Sequence, residues 1–410
     1  MKNSGVEWIG EIPEEWEVSK IGQLYEERRT KVSDTVYPPL SVTMQGILPQ
    51  LETAAKSDAH DDRKLVLKGD FAINSRSDRR GSCGISEHDG SVSLINTVIH
   101  PKTEMNPIYY NWLFHSFRFS DEYYKNGHGI VDDLWTTSWS EMKRIFIPLP
   151  PKSIQQHIAS YLDKKCSKIE ETIQNQQQVI EKLKNYKQSL ITEAVTGKIK
   201  IQNEIPDFKY CNLGFIAEFK NGLNYNASDF GTEVKFLGVG DFQNYLVLND
   251  ESMFSNIITD TEIEDDYYLK NGDIIFVRSN GSKELVGRAI MVDNIDFKVT
   301  YSGFCIRLRN KEPQKINSKF LLYFFRSDHF RNELQRLSQG SNISNINQDL
   351  LSHIKIPLVE MRFQESVIDF LNKKCTAIDT AIEQKQKLIE KLTEYKKSLI
   401  YECVTGKKEI

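Results

Sequence analysis

No run of apolar residues in the 410-residue chain approaches the roughly 18 that a membrane span needs. The opening stretch, MKNSGVEWIG, has no apolar core of the kind a secretory signal carries, so no export is expected. Cysteine is scarce: Cys83, Cys166, Cys211, Cys305, Cys375 and Cys403 form neither a C-x-x-C pair nor a zinc spacing. Scattered thiols without an export signal point to a reducing cytoplasm. There is no G-x-x-x-x-G-K-[ST] loop, which excludes a P-loop motor. The eight histidines are dispersed, and His60, His88, His100 and His115 show no metal-ligand spacing. Nor is there an excess of positive charge. The net charge is −4, which counts against a chain that binds nucleic acid over its whole surface. It leaves room for a local basic face, because composition averages such a face away.

Two stretches come close to a cofactor or substrate motif. FLGVG at Phe236–Gly240 matches F-x-G-x-G, the turn by which methyltransferases hold S-adenosylmethionine. NPIY at Asn106–Tyr109 half-matches the N-P-P-Y loop that holds a target base. The first motif should run straight into a helix. Here DFQNYLVLND follows, which reads as a turn and a strand. NPIY lacks the second proline and starts an ordinary helical pattern. Methyltransferase chemistry is therefore not expected in this chain.

What the sequence does have is a repeat. VIEKLKNYKQSLITEAVTGK begins at Val179 and LIEKLTEYKKSLIYECVTGK at Leu388, 388 − 179 = 209 residues later. Leu162–Lys198 and Leu371–Lys407 align without a gap, with 21 identities in 37 positions. Weaker matches extend upstream: Ile147-Pro148-Leu149 with Ile356-Pro357-Leu358, and Gln155 with Gln364. KGDFAINSRS (68–77) resembles NGDIIFVRSN (271–280), and Ile12-Pro13 is echoed by Ile205-Pro206. A period of this size means duplicated domains rather than a solenoid. The expected segments are 1–150, a first globular domain; 151–200, a first long helix; 201–358, a second globular domain; and 359–410, a second long helix.

The repeated tails have helical spacing. Apolar residues step by four and three through Leu162, Ile169, Ile173, Ile180, Leu183 and Leu190, and again through Leu371, Ile378, Ile382, Ile389, Leu392 and Leu399. This is an a/d seam held for about five heptads. Its polar or small positions coincide in the two copies: Cys166/Cys375, Gln176/Lys385 and Lys187/Lys396. Such residues fix register at a cost in stability. Gly197 and Gly406 stand where helices end. Two similar stripes in one chain can bury each other as an antiparallel pair of helices, each about 57 Å long for ~38 residues.

The globular parts read as mixed α and β. KLVLKGDFAIN and LKNGDIIFVRS suggest strand, Gly-Asp turn, strand. SVSLINTVIHP and KVTYSGFCIRLR are β-branched and aromatic runs of strand length. Helical spacing follows Asn106-Pro107 and Ser318. The fold class is thus α+β: two α/β domains joined by two long helices in an antiparallel coiled coil, with an internal pseudo-two-fold duplication.

Between the strands lie cationic, polar loops. SRSDRRGS (75–82) carries Arg76, Ser77, Arg79, Arg80 and Ser82, and VRSNGSKELVGR (277–288) carries Arg278, Ser279, Asn280 and Lys283. Gln45 is a further polar candidate in the first copy. Arginine with serine, asparagine and glutamine is the chemistry of phosphate and base-edge contact. A solvated loop is the plainer explanation for any one residue. It weakens when the same loop is cationic in both copies although its sequence differs.

With VEWIGEIPEEWEV, IPLPPKSIQQHIASYLDKK and EKLKNYKQSLITEAVTGK, and the second-copy partners IPLVEMRFQESVIDFLNKK and EKLTEYKKSLIYECVTGK, the chain resembles the DNA-specificity subunits of type I restriction-modification systems. The second opening, IPDFKYCNLGF, departs from the pattern by lacking the tryptophan of IPEEW. The resemblance implies two target-recognition domains, each reading half of a split site in double-stranded DNA, with the paired helices fixing the gap. It implies no catalysis, metal or cofactor in this chain. S-adenosylmethionine would arrive on two modification subunits, and ATP and Mg on restriction subunits. The alternative is a tandem coiled-coil scaffold that binds protein and not DNA.

Overall fold

The computed structural model describes all residues except 51–60, 130–134, 202–206, 225–230, 243–244, 261, 283 and 339–344. His60, Lys283 and the Ile205-Pro206 pair fall outside the described residues. The chain forms two compact units. One comprises Met1–Gln177 with Gln386–Ile410, and the other Gln178–Lys385.

In the first unit a four-stranded antiparallel sheet runs in the order Cys83–Ile85, Phe71–Asn74, Asn96–Pro101, Tyr25–Glu27. The helices Pro107–His115 and Phe117–Lys125 fill one core with it through Tyr109, Leu113, Phe114, Phe119 and Tyr123. Asn106 caps the first of these helices, its side chain accepting from the Tyr109 N–H at 3.0 Å. The NPIY stretch is thus a helix start. In the second unit the main sheet has five strands, in the order Ala217–Asn221, Cys305–Asn310, Ile274–Val277, Ala289–Val292, Val247–Leu248. The helices Ser318–Phe325 and Asp328–Leu337 share its core. FLGVG ends the strand Thr232–Leu237 and leads into a 3₁₀ turn at Val239–Phe242, not into a cofactor-binding helix.

Each Gly-Asp turn is built the same way. Gly69 and Gly272 take φ of +91° and +87°. The next residue, Asp70 or Asp273, is buried and closes the turn by accepting from the Leu67 N–H at 2.9 Å or the Lys270 N–H at 2.8 Å. The same carboxylates hold Arg28 and Arg309 in two-pronged ion pairs, with shortest distances of 2.6 Å in both. The runs SVSLINTVIHP and KVTYSGFCIRLR are each two strands broken by a turn, Gly90–Val92 then Asn96–Pro101, and Val299–Tyr301 then Cys305–Asn310.

The long helices span Lys152–Val195 and Met361–Val404, 44 residues each or about 66 Å. They begin ten residues before Leu162 and Leu371, directly behind the IPL strands. Gln155 and Gln364 anchor these first turns. Both are buried. Gln155 donates to Pro150 O at 2.9 Å and accepts from the Asn106 N–H at 3.0 Å. Gln364 donates to Val359 O at 2.8 Å and accepts from the Asn317 N–H at 2.8 Å. One glutamine thereby ties each long helix to the cap of a helix in the globular part of its unit.

The seam residues are all buried or half-buried. In the first unit Leu162 and Ile169 share a core with Leu399, with Ile173 and Leu392 packed against it. In the second, Leu190 shares one with Leu371 and Ile378, with Leu183 and Ile382 against it. Ile180 is buried and Ile389 half-buried. The first half of one helix thus packs on the second half of the other in both units, which makes the pairing antiparallel. Lys187 pairs with Asp379 at 2.6 Å, and Lys396 pairs with Glu170. These are the same two repeat positions, 379 − 170 = 209 apart, used twice.

Both helices end in a Schellman cap. The Lys198 N–H donates to Glu193 O at 2.9 Å, and the Lys407 N–H to Glu402 O at 2.8 Å. Gly197 and Gly406 have φ of +70° and +72°, where a side chain is strained. Space is also lacking: a Cβ on Gly406 would lie 2.4 Å from Pro13, and one on Gly197 2.0 Å from Phe208. Trp16 of the first opening lies 3.0 Å from the same point at Gly406, and Phe208 takes that place in the second copy. By strand register, with Lys20 opposite Phe146 and Asn212 opposite Lys355, Phe208 stands at the position of Trp16, so another aromatic fills the place of the missing tryptophan.

Candidate nucleic-acid interface

The arginine loops leave corresponding strands. Ile73 pairs with Thr97 and Cys83 in the first unit, and Phe276 pairs with Ile306 and Ala289 in the second. Three further contacts repeat. The Ser75 N–H donates to Ile95 O at 3.3 Å, and the Arg278 N–H to Phe304 O at 2.8 Å. The Thr137 N–H donates to Ser75 O, and the Ile346 N–H to Arg278 O, both at 2.9 Å. Arg76 bridges Thr136, and Ser279 bridges Asn345. In each unit three segments therefore converge at one end of the sheet: the arginine loop, a strand turn, and the segment before a short helix.

The register agrees with the match of 68–77 to 271–280 read from sequence. Arg278 corresponds to Ser75, and Ser279 to Arg76. The loop is cationic in both units, but its arginines occupy neighbouring positions that alternate in facing. The second loop is also longer: 278–288 links its strands where 75–82 links the first pair.

In the first unit Ser77–Arg79 form a 3₁₀ turn with Arg79 and Arg80 exposed, Arg76 and Ser77 half-buried, and Ser82 buried. Arg80 lies over the Tyr124 ring at 5.2 Å and 3.7 Å from Asp121. The Tyr124 hydroxyl, its pKa raised by burial, donates to Asn74 O at 3.1 Å and so ties the helix Phe117–Lys125 to the strand end. Trp135 donates through Nε1 to Tyr124 O at 2.7 Å. An open cleft of about 740 Å³ results, lined by Ser77, Asp78, Arg80, Asp121, Tyr124, Lys125 and Trp135. Gln45 is exposed at the tip of the hairpin Leu40–Thr43/Gly46–Pro49. That hairpin reaches the loop: a Cβ on Gly81 would touch Met44 at 4.0 Å, and one on Gly84 would meet Gly46 Cα at 2.8 Å. The fold thus sets the hairpin that carries Gln45 beside the loop that carries Arg76, Ser77, Arg79 and Arg80, with Ser82 buried.

In the second unit Arg278, Ser279 and Asn280 are half-buried. The Arg278 guanidinium reaches Gly303 O at 3.4 Å, and Asn280 accepts from the Ser282 N–H at 2.8 Å. Lys283 lies outside the described residues. Sequence reasoning missed Lys125, Trp135, Met44 and Phe304. Only tertiary pairing brings these residues to the loops, and no local motif marks them.

The arrangement offers guanidinium and amide groups at the loops, and among the described residues no group of three or more His, Cys, Asp or Glu could hold a metal ion. No helix among them is long and apolar enough to cross a membrane. The model of the type I restriction modification DNA specificity domain matches twice, over residues 13–185 and 206–394. The chain is 28% identical to the StySPI specificity subunit of Salmonella potsdam over 64% of its own length and 57% of that subunit's, so it spans under two thirds of that relative. It is 26% identical to the MjaVIII specificity subunit of Methanocaldococcus jannaschii over 97% of its own length and 93% of that subunit's. Among solved structures, a chain from a study of complex assembly and conformational transition of the type I R-M system superposes with a TM-score of 0.75 at 14% identity, covering 97% of this chain and 100% of that one. The HsdS subunit of Thermoanaerobacter tengcongensis superposes with a TM-score of 0.56 at 16% identity, covering 97% and 98%. These two show a shared fold. Two matched domains that together cover most of the chain, on a duplicated fold whose repeated loops are cationic, place it plainly: it belongs to the type I restriction-modification DNA-specificity family.

Proposed function

We propose that the chain reads a bipartite sequence in double-stranded DNA, with the domain at 1–150 on one half-site and the domain at 201–358 on the other. The helical segments 151–200 and 359–410 act as the spacer between them. The observation that carries this reading is the contrast within the repeat. The helices coincide in 21 of 37 positions, while the loops around Arg76 and Arg278 share little but charge. Near-identical helices suit two copies of one partner; divergent loops suit two different half-sites.

The partners of this reading are two modification subunits that bring S-adenosylmethionine, and restriction subunits that bring ATP and Mg. The assembly works in the cytoplasm, where its DNA is. The chain itself supplies no reacting group. Its arginines neutralise phosphates and meet base edges, and its seam holds the spacing.

Mapping methylated bases in a host that carries the chain with its modification partners tests this. The expected motif has two defined halves separated by a fixed gap. Deleting Gln174–Gln177 removes about one helical turn, ~6 Å. With B-DNA advancing ~3.4 Å per base pair, the gap should shorten by one or two base pairs while both halves stay the same. A folded, active deletion variant that keeps the original gap contradicts the spacer role.

A further inference from the structure

Phe304 is 62% exposed although its neighbours Tyr301, Ser302 and Cys305 are buried. Its backbone is pinned on every side. The Phe304 carbonyl accepts from the Arg278 N–H at 2.8 Å, and its own N–H donates to Ser302 Oγ at 3.2 Å. The Gly303 N–H donates to Leu223 O at 2.8 Å, and the Arg278 guanidinium reaches Gly303 O at 3.4 Å. A large apolar side chain is therefore held rigidly in water, directly beside the arginine loop.

A singly exposed apolar residue is ordinary and by itself needs no explanation. Two observations set this one apart. The corresponding residue of the first unit is Ile95, whose carbonyl accepts from Ser75 as that of Phe304 accepts from Arg278. Ile95 is also exposed, at 36%, and also stands beside an arginine loop. The side chain differs between the copies, but its place, apolarity and exposure recur. Phe215 is a useful contrast. It is more exposed still, but it precedes the strand Ala217–Asn221 at the end that pairs with Asn310, while Phe304 lies at the end that pairs with Ile306. At that far end the matching residue of the first unit is Gln23, so no apolar character recurs.

We infer that Phe304 is a specificity-determining residue of the second unit, and that its ring makes the apolar contact to a base of duplex DNA next to the groups engaged by Arg278, Ser279 and Asn280. The inference rests on the DNA-reading function proposed above and names the residue that discriminates. An aromatic ring gains nothing from a phosphate. It suits a thymine methyl or an exposed base face, and its fixed backbone limits where that base can lie.

The test is motif mapping with the full chain and its modification partners, for wild type, Phe304→Ala and Phe304→Gln. Both variants should loosen the second half-site at one or two adjacent positions, with roughly tenfold weaker discrimination there. The first half-site should not change. The slope of log affinity against log salt should also stay, because no phosphate contact is lost. Phe304→Gln keeps bulk while losing apolarity, so it decides the matter if the alanine variant proves unstable. An unchanged motif in a folded variant overturns the inference, as does a change in the first half-site or a uniform loss with a flatter salt slope. If wild type itself gives no bipartite motif, the DNA-reading function falls, and the role of Phe304 falls with it.

Discussion

The long helices and the recognition faces are both duplicated, but they are duplicated at different levels. In the helices the repeat reaches individual side chains: Lys187–Asp379 recurs as Lys396–Glu170, and Gln155 bonded to Pro150 recurs as Gln364 bonded to Val359. In the faces only the backbone repeats. The hydrogen bonds from residue 75 to 95 and from 137 to 75 recur as 278 to 304 and 346 to 278, yet Ser75 has become Arg278 and Ile95 has become Phe304. A scaffold of main-chain bonds lets side chains change without moving the surface. A seam that must bury its partner's side chains has no such freedom.

The sharpest way to break this comparison is inside the sheets. Arg307 is fully buried on the strand position where the first unit has Val98, and it bonds Glu218 at 2.8 Å and Asp266 O at 2.6 Å. Arg307→Ala should destabilise by about 3 kcal/mol through cavity and lost bonds. Thermal melts should show one transition shifting and the other unchanged if the two units melt separately. Next in size is Gly197→Ala, which places a Cβ at positive φ and against Phe208. About 2 kcal/mol should be lost, and Gly406→Ala should lose a similar amount if the caps are equivalent; denaturant unfolding of both variants checks this. Gln364→Leu leaves the Asn317 N–H without its acceptor and should cost about 1–2 kcal/mol, with Gln155→Leu matching it. The smallest effect belongs to Lys187→Ala. Its ion pair is largely solvated and should contribute about 0.5 kcal/mol, falling with added salt.

The helical seam was legible because its period is local and is written twice. Leu162, Leu190, Leu371 and Leu399 can be placed without any tertiary knowledge. The Gly-Asp turns were legible for the same reason. The expected bounds at 151 and 359 lie next to the observed starts at Lys152 and Met361; what stayed hidden is the buried glutamine, bonded to a residue some fifty positions away, that anchors each start. The arginine loops stood out by composition, and the repeat alignment carried their register. The ungapped match of 68–77 with 271–280 sets Arg76 opposite Ser279, and strand pairing agrees; only tertiary packing brings Gln45, Trp135 and Lys125 to the first loop and Phe304 to the second.

The most direct test of two faces reading two half-sites is to map the methylated motif with Arg76→Ala and, separately, with Arg278→Ala. A lost base contact should weaken recognition by about 1–3 kcal/mol at one position. The account predicts that Arg76→Ala relaxes one half-site, Arg278→Ala relaxes the other, and neither alters the gap. Folded variants that relax the same half-site, or that both keep the full motif, would contradict it.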